Sequence, residues 1–297
     1  VERSNVNGIN ETTLLKISVN KNYKPQAADT NIDADIYLFI RLRQLSPTER
    51  IRIFIAHDRG VKKLCLAGIK FRHRSLSLAE ICQIFARATL AEKFSPDFQP
   101  KSIDESMWIQ DSITLAGEFH QIFQSMNIPY YVSGGVASSI HGEPRSTRDL
   151  DLVIEVQPDQ IDLLVATLEG AGYYCPAGAV TNLQQGRERM LNITHTETIA
   201  NADLYIKDNS PFSLSQMARR MLLDLDGISP FWVSSPEDTM LQKLLWSQSS
   251  KSEKQWRDVL GILKLQAQGL DYGYLTQWAE NLNLVDAFIQ ALSEAGL

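Results

Sequence analysis

Two aspartates, Asp149 and Asp151, stand two residues apart in the stretch Tyr130 to Val156, which reads YYVSGGVASSIHGEPRSTRDLDLVIEV. On a strand, that spacing puts both carboxylates on one face and Leu150 and Leu152 on the other. A pair of hard oxygen ligands so placed suits Mg²⁺ bound to nucleotide phosphates, because this ion takes one or two carboxylates and fills its shell with water and substrate oxygens. A further aspartate, Asp203, sits between apolar neighbours in Ala202-Asp203-Leu204-Tyr205-Ile206. A third carboxylate from an adjacent strand would let two metal ions be bridged, one activating an attacking hydroxyl and one holding a triphosphate.

Spacing alone does not select this pair, since Asp33/Asp35 and Asp224/Asp226 repeat it. What singles out Asp149/Asp151 is the chain ahead of it. Tyr130-Tyr131-Val132-Ser133 has the aromatic and β-branched content of a short strand, and Gly134-Gly135 lets the backbone turn sharply and approach a ligand. A short helix with Val136, Ala137 and Ile140 on its apolar side follows, and its first N–H groups offer a cradle for phosphate. The polar loop His141 to Arg148 then leads into the strand carrying the aspartates.

Together these residues resemble the nucleotidyltransferase superfamily that shares the DNA polymerase β catalytic core. Its signature is a strand, then Gly-Gly or Gly-Ser, then about ten to thirteen residues, then Asp-x-Asp, often behind an Arg-x-Thr-x element. Gly134-Gly135, Arg145-Ser146-Thr147-Arg148 and Asp149-Leu150-Asp151 fill those places. The nearest look is to small prokaryotic minimal nucleotidyltransferases and AbiEii-type toxins of toxin–antitoxin systems, over about residues 112–266. The resemblance implies an α/β (α+β) fold whose mixed, mostly antiparallel sheet is flanked by helices. It implies Mg²⁺-dependent transfer of a nucleoside monophosphate from an NTP to an acceptor hydroxyl on a small molecule, a protein or a tRNA. Asp149, Asp151 and Asp203 would be the catalytic and metal-binding carboxylates for two Mg²⁺ ions, Asp203 acting as general base. Ser133, Gly134, Gly135, Arg145, Thr147 and Arg148 would meet the nucleotide. Lys243 and Asp258 fall where the toxin-like relatives place a Lys and an Asp that complete the site, although Lys243 also reads as an ordinary exposed helix residue. A cognate antitoxin or other protein partner is a further implication.

The 297 residues exceed one ordinary domain, with 44% apolar and 22% charged content typical of a globular chain. Residues 1–32, rich in polar types without a period, read as a flexible lead. Residues 33–94 read as a small helical domain: Ile36, Phe39 and Ile40 recur at helical spacing, Ser46-Pro47-Thr48-Glu49 starts a second helix toward His57, and Ser77 with Glu80 caps a third. Residues 95–105, with two prolines, form a linker. The core, 106–234, opens with a helix over Met107 to Met126, and Pro158 to Ala171 is a second amphipathic helix. Arg189 to Ile206 alternates as two strands around a turn at His195, Met221 to Leu225 is a strand, and Phe231-Trp232-Val233 the last. Residues 235–297 are a helical C-terminal part: Pro236 to Trp246, Glu253 to Gln266 and two helices beyond Tyr272.

From Arg41 to Arg74 ten basic residues face only Glu49 and Asp58, a balance of +8 in a chain of net −6. Such a segment suits an RNA backbone, an acidic partner or a solvated helix face, and it carries no aromatic RNA-stacking motif. An RNA-binding adaptor working through this segment, or a catalytically degenerate nucleotide- or partner-binding protein, are therefore the rival readings. Cys65, Cys82 and Cys175 make no paired framework, and no apolar run approaches the roughly 18 residues that span a bilayer. A cytoplasmic protein without membrane contact is the expectation, and Val1 in place of Met leaves room for residues upstream. His141 and His195 are too isolated for a zinc site. Neither a Gly-x-Ser-x-Gly elbow nor a Walker Gly-Lys-Ser/Thr occurs.

Overall fold

The computed structural model describes residues 21–102, 104–250 and 252–297, and the expected flexible lead lies outside them up to residue 20. The chain divides into two compact units, residues 47–140 with 144–239 in one, and residues up to 46, 141–143 and 240–297 in the other. The expected helical segment 33–94 is thus shared between the two.

The larger unit is built on seven strands: β1 (Tyr130–Val132), β2 (Leu150–Ile154), β3 (Tyr173–Tyr174), β4 (Met190–His195), β5 (Asn201–Ile206), β6 (Met221–Leu225) and β7 (Ile228–Val233). Their order is β3-β4-β5-β2-β1-β7-β6. Only β1/β7 and β2/β5 run parallel, so the sheet is mixed and mostly antiparallel, flanked by helices as the sequence implied. Leu150, Leu152 and Ile154 of β2, Leu191 and Ile193 of β4, and Ala202 and Leu204 of β5 form one buried apolar set. Alternation leaves Asp151, Asn192 and Asp203 on the opposite face.

To relate sequence to helix labels, α1 is Ile32–Gln44, α2 Pro47–Arg72, α3 Leu78–Leu90, α4 Ser112–Ser125, α5 Gly134–His141, α6 Ile161–Gly170 and α7 Ala177–Gln184. The rest are α8 Pro211–Arg219, α9 Pro236–Ser250, α10 Glu253–Gln266, α11 Tyr272–Asn281 and α12 Val285–Ala295. The Ser77/Glu80 capping box opens α3 as expected. Ile51 and Phe54 of α2 join the main sheet core.

Two boundaries and two further elements depart from the sequence expectation. The helix expected over 107–126 begins only at Ser112, because Asp111 accepts from the N–H groups of Ile113 and Thr114 and is itself held by Arg59 at 2.6 Å. The last strand starts at Ile228 and includes Pro230, tolerated where the β6/β7 register slips between Leu223 and Leu225. β3 and α7 were not foreseen; at two residues and two turns they carry too little period to read.

In the smaller unit, α10 packs against α1 and α12. Its centre is polar: Lys264 and Asp35, each 1% exposed, pair at 2.7 Å. Asp35 also accepts from the Tyr23 hydroxyl at 2.5 Å and the Gln26 N–H at 2.8 Å, and the Lys264 ammonium lies over the Tyr23 and Phe39 rings. Burial pulls the Lys264 ammonium below the ordinary lysine range, with Asp35 pushing back. Residues 21–31, within the expected lead, are tied in by these bonds. Among the described residues no helix is long and apolar enough to cross a membrane. The three cysteines are unpaired, and burial pushes the Cys82 thiol up to about 11 and that of Cys175 up to about 12.

Removing one charge of a buried pair leaves the other uncompensated, at about 3–5 kcal/mol. Asp35→Asn is therefore expected to lower the urea unfolding free energy of the full chain by that amount. A loss below about 1 kcal/mol would mean that water reaches Lys264 and that the pair is not a keystone.

Candidate metal centre

β2 and β5 lie side by side and parallel, in a register that sets Asp151 directly against Asp203 and Leu152 against Leu204. Asp149 immediately precedes β2. One oxygen from each of Asp149, Asp151 and Asp203 falls within 4.8 Å of the other two, with Asp203 buried and Asp149 and Asp151 half-buried. The two sequence-distant parts of the site are thus joined by strand pairing alone.

The double glycine is explained by what surrounds it. Gly134 has φ +59°, and a Cβ there would stand 1.8 Å from Asp151 Oδ2. A Cβ on Gly135 would stand 2.7 Å from Thr147 Cγ2. No side chain fits at either place without displacing a site residue. Ser133 donates its N–H to the Asp151 carbonyl at 2.8 Å, and the Gly135 N–H points at Asp151 Oδ2 from 3.4 Å. The N-terminus of α5 therefore faces the Asp151 carboxylate, where its positive end offsets part of the charge.

The arginine loop is tethered from below. Ser139 Oγ, near the end of α5, donates to the Arg145 carbonyl at 3.0 Å. Asp58 of α2, fully buried, accepts from Ser146 Oγ at 3.0 Å and from the Ser112 N–H at 3.0 Å. Thr147 is buried, and its hydroxyl reaches the Asp149 carbonyl at 3.3 Å. Arg145 is half-buried, whereas Arg148 is exposed and lies 3.9 Å from Glu92.

Two residues absent from the sequence expectation complete the centre. Lys93, on the single turn Ala91–Lys93 that follows α3, donates to both Asp149 Oδ2 and Asp203 Oδ2, the latter at 2.5 Å. Burial alone would pull its ammonium down, but the bonds to Asp149 and Asp203 prevail and raise it above the ordinary lysine value. Asn192 of β4, paired opposite Asp203, donates to Asp203 Oδ1 at 2.7 Å. Both oxygens of Asp203 are thereby oriented, one by an amide and one by a cation. The Tyr205 hydroxyl is also pushed up, first by burial and then by the charges of Asp151 and Asp203.

A cluster of three carboxylates is an all-oxygen donor set of the kind hard divalent ions take. The position between Asp149 and Asp203 already receives a cation, the Lys93 ammonium. The residues present fit a divalent ion.

Lys243 and Asp258 belong to the smaller unit. They pair with each other at 3.0 Å, and Lys243 is 3% exposed, which corrects its reading as a surface lysine. Ser133 is buried. His141 is buried, its carbonyl accepting from Gln266, and His195 Nδ1 accepts from the N–H groups of Glu197 and Thr198 in the β4/β5 turn. Of the other aspartate pairs, Asp35 is committed to Lys264, and Asp224 and Asp226 are exposed beside the Gly227 turn.

No protein-family model matches this chain, and no curated protein matches it. Among solved structures it is similar to an antigenic nucleotidyltransferase-like protein from Paracoccidioides brasiliensis, at 20% identity and a TM-score of 0.43, over 63% of this chain and 94% of that one.

Sequence could not have nominated Lys93, which lies 56 residues from Asp149, at the end of the stretch read as the helical domain. Asn192 had a weak signal: it alternates with Leu191 and Ile193 on the strand preceding Asp203.

Because a Cβ at Gly134 meets Asp151 and an L-residue at φ +59° is itself strained, Gly134→Ala is expected to cost more than about 1 kcal/mol and to weaken Mn²⁺ binding. Gly178→Ala, in α7 where nothing lies within 4 Å of the added carbon, is the control and should leave both unchanged. Thermal melting and Mn²⁺ titration of the two variants decide it; equal behaviour would mean that the close approach to Asp151 is unimportant.

Proposed function

We propose that the protein is a nucleotidyltransferase that moves a nucleoside monophosphate from an NTP to an acceptor hydroxyl, using divalent metal held by Asp149, Asp151 and Asp203. The observation that carries this reading is the convergence of three carboxylates on two paired strands, directly against a glycine turn that admits no side chain. A bound Mg²⁺ would screen the triphosphate charge and lower the pKa of the acceptor hydroxyl.

The chain's own residues then have separable tasks. Asp203, buried and oriented by Asn192, would accept the proton of the attacking hydroxyl. Asp149 and Asp151 would hold the metal. Arg145 and Arg148, on a loop tethered through Asp58 and Ser139, would neutralise phosphate oxygens, and Thr147 keeps that loop against Asp149. The acceptor is a hydroxyl of a small molecule, a protein or an RNA. Incubation with each α-³²P-labelled NTP, Mg²⁺ and cell extract would identify it by where the label appears.

With an acceptor in hand, Asp203→Asn is expected to keep most NTP affinity while transfer falls by about 10²–10⁴, the usual scale for losing a general base. Asp149→Asn should damage binding and transfer together. Near-wild-type transfer by Asp203→Asn would remove Asp203 from the chemistry. Absence of label transfer from every NTP, with salt-dependent RNA binding retained, would favour an adaptor instead.

A further inference from the structure

Lys93 has no part in the reaction proposed above, yet its ammonium contacts two of the three carboxylates. The side chain is 26% exposed and reaches the centre from a short strap between two anchors. On one side is Leu90, buried at the end of α3; on the other is Phe98, 1% exposed, edge-on to Phe94. Between them Ala91 adopts φ 49° and ψ −119°, a strained conformation that L-residues rarely take. Beside Lys93 the strap leaves a recess of ≈ 30 Å³, bounded by Thr89, Glu92, Arg148, Asp149 and Asn201. That holds about one water, far short of a triphosphate. A strained turn thus carries a cation into the place where a metal ion would be ligated, and it narrows the approach to the carboxylates.

We propose that Lys93 is an exchangeable internal counter-ion: it neutralises Asp149 and Asp203 while the centre holds no metal, and it must withdraw, with the turn that carries it, before a divalent ion and its nucleotide can be seated. The proposal rests on the metal–nucleotide reading of the site. It gives the strap a regulatory meaning, because the apparent metal affinity becomes the intrinsic affinity reduced by the fraction of molecules in which Lys93 has withdrawn. The strain at Ala91 sets part of that fraction, since it is released when the turn lets go. The exposed Arg148–Glu92 pair bridges the strap to the arginine loop, so phosphate drawing on Arg148 would loosen the same turn.

The test is Mn²⁺ alone, titrated by electron paramagnetic resonance into the full chain as wild type, Lys93→Met and Asp149→Asn, with thermal melting of each in EDTA and in Mn²⁺. Lys93→Met is expected to bind Mn²⁺ at least about tenfold more tightly than wild type. It should also melt lower in EDTA, where the carboxylates repel one another, and regain that loss in Mn²⁺. If the variant fails to fold in EDTA but folds in Mn²⁺, the counter-ion role is supported, since a metal then does what the ammonium did. Equal or weaker Mn²⁺ binding by Lys93→Met, or failure to fold even in Mn²⁺, overturns the proposal and leaves the metal reading standing, provided that Asp149→Asn binds less than wild type. If neither wild type nor Lys93→Met binds Mn²⁺, the metal reading itself falls, and the exchange with it.

Discussion

Three carboxylates whose oxygens lie within 4.8 Å of one another repel, and the donors set against them answer that repulsion. The Lys93 ammonium lies against two of them, the Asn192 amide fixes a third oxygen, and the N-terminus of α5 faces Asp151. These compensations come from three separate parts of the larger unit. The arrangement is a concentrated negative charge maintained by the fold, of a kind that a divalent ion is suited to relieve.

The same constraint explains the backbone. For Asp151 to approach the start of α5 so closely, residue 134 must lack a Cβ and turn through positive φ, and residue 135 must leave room for Thr147. The glycines and the aspartate are therefore one device, divided between the turn that follows β1 and the strand β2 paired with it. The arginine loop joining them is held by Asp58 and Ser139, buried groups whose hydrogen bonds stand in for regular structure.

Charge pairing recurs in the smaller unit with a different outcome. Lys264 with Asp35 and Lys243 with Asp258 are both buried, and each stands among close-packed helices. Burial is tolerable there because each ammonium has a carboxylate against it, and in the Lys264 network the remaining hydrogen bonds are supplied by Tyr23 and the Gln26 and Lys24 backbone. Lys93 differs in being partly exposed and mounted on a strained turn, which is why it lends itself to exchange and these two do not.

Local pattern determined much of this protein by itself. The strand–glycine–helix–strand run, the capping box at Ser77 and the alternation around Asp203 follow from periodicity and from the conformations open to Gly and Pro, which depend on neighbours in the chain. Asp149-Leu150-Asp151 and Asp224-Leu225-Asp226 nevertheless have identical sequences, and one lines a carboxylate cluster while the other lies exposed at a hairpin turn. What separates them is strand pairing: β2 is flanked by β1 and β5, which bring the glycines and Asp203 to it, whereas β6 is an edge strand with β7 alone beside it. Tertiary structure also decided the place of Lys93, since a lysine after a helix has no local signal of its destination. Its counter-charges lie 56 and 110 residues away, and only the packing of α3 and its following turn against the sheet unit brings them into reach.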